Sequence, residues 1–158
     1  MKSSNQTWYS SPVGILHLKT DGESLTAAHF SDAKPALATH PSNHLVIRQA
    51  ITQLDEYFEG KRAAFDLPLA PDGTDFQQSV WKKLQEIPFG QTITYGELAE
   101  MLGDVNKVRA VGKANGKNPI PVIIPCHRVI GANNKLVGYG GGIENKRWLL
   151  QHEGALLL

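Results

Sequence analysis

Apolar residues come in short clusters over the first thirty positions and then switch to helical spacing. In WYSSPVGILHLKTDGESLTAAHF (8–30) the clusters are broken by Ser-Pro, Val-Gly and Asp21-Gly22, the punctuation of a small antiparallel meander. SDAKPALATHPS (31–42) has no periodicity and reads as a proline-bearing loop. NHLVIRQAITQLDEYFEGKR (43–62) predicts a helix with Ser42 or Asn43 as N-cap, Leu45, Ile47, Ile51, Leu54 and Phe58 on one apolar side, and Gly60 as its stop. APDGT (70–74) is the clearest linker, which divides the chain into an N-terminal α/β domain (1–70) and a C-terminal domain (71–158).

Beyond the linker the pattern is mainly helical. Thr74 or Asp75 can cap DFQQSVWKKLQEI, where Phe76, Val80, Trp81, Leu84 and Ile87 recur at helical spacing before Pro88. TYGELAEMLGD, with Leu98, Met101 and Leu102 apolar, precedes VNKVRAVGKANGKN, which Gly116 and Asn118-Pro119 end. Two short helices across a glycine turn predict a helix-turn-helix over about 92–117. A strand-like apolar run IPVIIPCHRVIG (120–131), a glycine-rich loop LVGYGGG and a closing helix ENKRWLLQHEG complete the chain.

Composition narrows the class. At 158 residues with 41% apolar and 20% charged residues, the chain can bury a core and stay soluble. No apolar run approaches the roughly 20 residues of a membrane span, and no h-region follows the first lysine. With one cysteine there is no internal disulfide, so a reducing compartment, the cytoplasm or the nucleoid, is expected. Net charge is +1 but uneven. Residues 1–79 carry six basic and nine acidic side chains (−3), and residues 80–158 carry ten and six (+4). An anionic partner for the second half follows.

The helix beginning near Asn106 sharpens that expectation. Arg109, Lys113 and Lys117 recur every four residues as a basic row, beside a row of small side chains, Ala110 and Ala114, with Gly112 nearby. Such a face can approach a duplex closely. Three phosphate contacts would give a salt slope of about −3 and little sequence preference.

Cys126 is either a buried inert residue or a nucleophile. An unperturbed thiol is only a few per cent ionised at neutral pH, so nucleophilic work needs an activating neighbour. His127 is adjacent in sequence, and adjacent side chains do not meet on a strand or a helix. A bridging water would solve this, and Glu153 is the candidate to orient the imidazole.

FQQSVWKKLQEIPFGQTITYGELAEMLG, VRAVGKANGKNPIPVIIPCHRVIG and GYGGGIENKRWLLQHEG, in that order, are similar to the O6-alkylguanine-DNA alkyltransferases, the methylated-DNA–protein-cysteine methyltransferases. The resemblance covers about residues 74–155. It implies a ribonuclease-H-like α/β unit followed by a mainly α-helical domain with a helix-turn-helix. Cys126 would accept the alkyl group of O6-alkylguanine, and of O4-alkylthymine, in double-stranded DNA, once and irreversibly. His127 would take the thiol proton through a water, Glu153 would hold the imidazole, Tyr95 would give proton density to the departing base, and Asn118 would brace the turn presenting Cys126. Arg109, Ala110, Lys113, Ala114 and Tyr95 would meet DNA in the minor groove, with Arg109 filling the stack left by the rotated nucleotide. Val129, Val137, Tyr139, Gly140 and Gly141 would line the substrate pocket.

The resemblance implies a monomer with no cofactor and no membrane partner. Gly140 departs from relatives with serine there, which puts a side-chain contact to the base in question. No N-terminal cysteines exist to bind the structural zinc of some relatives, so no metal is expected; His17, His29, His40 and His44 read as scattered surface or core histidines. The alternative is a non-catalytic sensor of alkylated bases, against which the presence of Cys126 argues.

Overall fold

The computed structural model describes residues 5–32 and 44–155. The chain divides into two compact units between Asp72 and Gly73.

In the first unit, β1 (Gln6–Ser11), β2 (Gly14–Thr20) and β3 (Leu25–Ser31) form an antiparallel sheet in the order β1-β2-β3. Leu16 and Leu18 alternate with more exposed residues along β2 and are fully buried, as a sheet with one covered face requires. Helix α1 (Leu45–Phe58) buries Val46, Ile47, Ala50, Gln53, Leu54 and Tyr57. The predicted stripe is therefore rotated: Leu45 is 63% exposed, while Ile51 and Phe58 sit at the margin. Gln53 explains the shift, since its amide hydrogen-bonds both the backbone N–H and carbonyl of Asp66, at 2.8 and 2.9 Å, which satisfies a polar group in the packed face. His44 occupies the N-cap without a side-chain capping bond; Ser42, Asn43 and His40 lie outside the described residues.

The second unit begins with α2 (Asp75–Leu84), capped by a reciprocal pair in which Thr74 Oγ1 accepts from Gln77 N–H and Thr74 N–H donates to Gln77 Oε1. The helix stops at Leu84, so Ile87 is buried from a turn rather than from the helix face. A two-residue strand β4 (Ile93–Thr94) leads into α3 (Tyr95–Met101), whose start is fixed by a second capping box between Thr94 and Glu97. Leu98 and Ala99 are its buried residues; Met101, expected apolar-side, is 42% exposed. Gly103, at φ 92°, makes the turn, and Asp104 caps a 3-10 turn at Val105–Lys107 before α4 (Val108–Gly116). α3 and α4 pack together as the predicted helix-turn-helix.

The run 120–131 is not one strand. Pro119, Pro121 and Pro125 remove three backbone donors, so an extended ladder cannot propagate. The chain instead turns, with Val122 at φ 71° and Ile124 N–H bonded to the Ile120 carbonyl. It makes a 3-10 turn at Cys126–Arg128, then pairs only β5 (Val129–Ile130) in parallel with β4. Residues 120–130 are nevertheless buried throughout. α5 (Ile143–His152) closes the unit with Lys146, Leu149 and Leu150 inward.

Candidate active site and nucleic-acid interface

Cys126 begins the 3-10 turn and is 5% exposed. Its backbone is held from several sides. Its N–H donates to the Ile124 carbonyl at 2.8 Å, and its carbonyl accepts from Asn115 Nδ2 at 3.4 Å. Asn118 spans the preceding turn, with Oδ1 accepting from Ile120 N–H at 2.9 Å and Nδ2 donating to the Ile124 carbonyl at 2.8 Å. The proline-rich bend is thus satisfied from inside by one short amide side chain.

His127 is fully buried. Its Nε2 lies 2.7 Å from Glu153 Oε2, which assigns the proton to Nε2 and leaves Nδ1 as the acceptor in the neutral ring. Nδ1 is buried and bonds no protein atom. Glu153, at the C-cap of α5, is also gripped by Arg128, whose Nε donates to Oε1 at 2.8 Å and whose terminal nitrogen donates to Oε2 at 3.0 Å. A further Arg128 N–H reaches the Ile87 carbonyl at 2.7 Å. Burial by itself would raise the Glu153 carboxyl, but the hydrogen bonds and charges of His127 and Arg128 outweigh it and hold the group at about 2. For His127 the balance is reversed. Burial lowers its pKa more than Glu153 restores it, so the imidazole is neutral at neutral pH and can act as a base.

Tyr95, the first residue of α3, is half-buried, and its hydroxyl donates to the Val137 carbonyl at 3.3 Å. Lys146 stands beside it, fully buried, with Nζ donating to the carbonyls of Val129 (2.6 Å) and Val137 (3.0 Å) and 5.9 Å from the Tyr95 ring centre. These bonds tie the glycine-rich loop to β5. Val129 is buried, Val137 is 43% exposed, and Tyr139 and Gly141 are partly covered. Gly140 is exposed; a Cβ there meets nothing within 4 Å and its backbone is not left-handed, so a larger side chain fits without strain.

Burial pushes the Cys126 thiol up to about 11, opposed by the Asn118 hydrogen bond and the Lys146 charge. Burial also brings Lys146 down to about 8, with Cys126 pulling the other way. In the free protein the low-dielectric site keeps the sulfur protonated.

On α4, Arg109, Ala110 and Lys113 are exposed, as is Lys117 at its C-cap. Ala114 is not part of that face. It is 2% exposed, and its carbonyl accepts from Trp81 Nε1 at 2.8 Å, because Val111, Ala114 and Asn115 form the side packed on the rest of the unit. The predicted row of small residues thus splits: Ala110 faces out and Ala114 in. Gly112 lies against Tyr95, where a Cβ would sit 3.7 Å from Cδ1.

Three site residues escape a sequence reading. Lys146 carried a signal, since it shares a helical face with Leu149, Leu150 and Glu153 at i, i+3, i+4 and i+7. Arg128 and Asn115 had none beyond adjacency to better candidates. Among the described residues no three His, Cys, Asp or Glu side chains gather as a metal-ligand set, and no helix is long and apolar enough to cross a membrane. His17 stacks on Trp8, His29 is exposed beside it, and His44 is partly covered.

Two family models cover nearly the whole chain: the 6-O-methylguanine DNA methyltransferase ribonuclease-like domain over residues 6–71 and the DNA binding domain of the same family over 75–155. The methylated-DNA–protein-cysteine methyltransferase of Methanosarcina acetivorans is 47% identical over 150 residues, spanning 93% of this chain and 96% of that one. Its namesake in Mycobacterium tuberculosis is 48% identical over 145 residues, 90% of this chain and 88% of the relative. The crystal structure of M. tuberculosis OGT in complex with DNA superposes with a TM-score of 0.85 at 45% identity, covering 95% of this chain and 92% of the other.

Two outcomes follow from the electrostatics. Iodoacetamide alkylation of Cys126 in the free protein should accelerate about tenfold per pH unit and level off only near pH 11; a plateau near 8.5 would contradict a buried, protonated thiol. Glu153→Gln should destabilise the protein at pH 7 by about 3 kcal/mol, the size of a broken buried pair. Because the folded carboxyl is depressed to about 2, its contribution is present above the ordinary carboxylate pKa and lost as pH falls toward 2. Melting curves should show the gap between variant and wild type narrowing below about pH 4.

Proposed function

The chain belongs to the 6-O-methylguanine DNA methyltransferase family, and from that premise we propose that it repairs O6-alkylguanine in duplex DNA by moving the alkyl group to Cys126. The observation that carries this reading is the chain's lone cysteine, buried one residue from a histidine whose Nε2 is locked to a carboxylate. The same unit carries the basic outer face of α4.

In the reaction Cys126 Sγ displaces guanine O6 from the alkyl carbon in line. The S–C bond forms, the C–O bond breaks, and its electron pair leaves with the base. The thiol proton passes to His127 Nδ1 through one water molecule. That route suits an imidazole whose Nε2 is already bonded to Glu153 and whose Nδ1 takes no other protein bond. Arg128 keeps Glu153 ionised while the imidazolium forms. Tyr95 supplies a proton to the departing base. The thioether is not hydrolysed, so each molecule acts once and no cofactor is required.

Access demands that the nucleotide leave the stack. α4 enters the minor groove, Ala110 permits close approach, and Arg109 occupies the gap. Lys113 and Lys117 contact phosphates. Val129, Val137, Tyr139, Gly140 and Gly141 form the wall around the flipped base, with room at Gly140 for a bulkier alkyl group. The protein works as a monomer in a reducing, cytoplasmic setting.

Intact-mass spectrometry after incubation with a duplex carrying one O6-methylguanine should show one added methylene on Cys126, saturating at one per molecule. Cys126→Ala should bind the duplex and acquire nothing; tight binding by the wild type with no mass change would favour the damage-sensing alternative. For Arg109→Ala, the slope of log K against log salt should fall in magnitude by about one if the guanidinium meets a phosphate. An unchanged slope with weaker lesion binding would instead assign it wholly to the stack.

A further inference from the structure

Asn115 lies on the inner side of α4 and is 3% exposed. The helix side it shares is otherwise apolar (Val111, Ala114), and although its Nδ2 is bonded, its Oδ1 is buried without a hydrogen-bond partner. A buried polar atom left unsatisfied costs stability, a cost that the single bond to the Cys126 carbonyl offsets only in part.

Its surroundings are those of the reaction. Nδ2 donates to the carbonyl of Cys126 at 3.4 Å. One helical turn earlier, at Gly112, the Tyr95 ring lies so close that a Cβ would sit 3.7 Å from Cδ1 and 3.9 Å from Cε1. Asn115 is three residues farther along the same side of α4, one helical turn from that contact. There the amide acts on the hydroxyl as a hydrogen-bond partner, drawing down a pKa that burial raises first and the Cys126 charge raises further. One side chain of α4 therefore bonds the backbone of the nucleophile and lies near enough to the Tyr95 hydroxyl to act on it.

We infer that Asn115 is a positioning residue for proton delivery by Tyr95, its amide N–H holding the phenolic oxygen and stabilising the negative charge left there as the proton moves to the departing base. The inference rests on the reading of Tyr95 as that proton donor. The step balances without another reactant. The S–C bond forms, the C–O6 bond breaks, and the electron pair enters the guanine ring system. A ring nitrogen then takes the Tyr95 proton, and the tyrosinate recovers a proton from solvent after the base departs. A donor aimed at the phenolic oxygen is needed only while that charge exists, which is how an interaction contributes to the rate rather than to binding.

The test is a double-mutant cycle on the single-turnover rate with a duplex carrying one O6-methylguanine. Asn115→Leu, close in shape but without the donor, should slow transfer about tenfold with duplex affinity unchanged, a modest part of what acid catalysis contributes. In the Tyr95→Phe background the same substitution should change the rate less than about twofold, because there is no proton left to manage. Equal losses in both backgrounds would overturn the inference and reduce Asn115 to a packing role. Full activity of Tyr95→Phe alone would instead overturn the reading of Tyr95 as the acid, a separate failure. Asn115→Asp provides a second arm that keeps size and polarity. A carboxylate facing the phenolic oxygen should slow transfer, with the rate relative to wild type recovering as pH falls and the carboxyl protonates; a flat ratio across pH would refute the inference.

Discussion

The bond between Glu153 and its two partners is the constraint on which the second unit depends. A carboxylate at 4% exposure is affordable only with its charge answered. Arg128 answers it with two N–H donors, and His127 completes the shell through Nε2. Because Arg128 also reaches the Ile87 carbonyl, this one cluster joins the end of α5, the turn after α2 and the 3-10 turn that carries Cys126. Removing any partner leaves a buried charge exposed to its own desolvation cost. The geometry at the sulfur therefore inherits its precision from a cluster that does not touch the sulfur.

The site resolves a conflict between burial and reactivity by postponing ionisation. A thiol pushed up to about 11 is a poor nucleophile at rest. For a protein that can react only once, that inertness protects the sulfur from chance electrophiles in water. In the proposed mechanism reaction then requires an aligned alkyl carbon, a base of the correct tautomer and a donor for the leaving group at the same moment, the sum of positioning and acid–base catalysis rather than a preformed thiolate. Lys146 fits the same logic. Burial lowers its pKa to about 8, so it stays mainly charged at neutral pH, and its N–H groups bind the carbonyls of Val129 and Val137 and so tie β5 to the glycine-rich loop.

Helix α4 serves two environments within nine residues. Arg109, Ala110 and Lys113 face solvent, while Val111, Ala114 and Asn115 face the core, so under the proposed function docking and chemistry would share one rigid body. Trp81 locks its end through the Ala114 carbonyl. A displacement of α4 on DNA would be felt directly at Tyr95 and at the Cys126 carbonyl.

Much of this was legible in the sequence. Helical spacing and caps located α2, α3, α4 and α5, because those signals act within a few residues and survive any tertiary arrangement. The order of motifs around PCHR carried the family, and with it Cys126, His127, Glu153 and Tyr95 as candidates. Which side of a helix is buried was less secure. Leu45 and Met101 lie exposed, Gln53 and Lys146 lie inside, and Ala110 and Ala114 part company, since burial depends on which neighbour covers a residue and whether that neighbour supplies a hydrogen bond. The run before Cys126 became a turn because three prolines and the Asn118 amide favour a bend over a ladder. What the chain determined alone was the chemistry available and the local elements. What only the tertiary structure decided was protonation and contact: a protonated thiol, a neutral imidazole with Nδ1 available, an ionised Glu153, and Asn115 bonded to the Cys126 carbonyl. Those properties depend on dielectric and on distances between residues far apart in sequence, which no local pattern encodes.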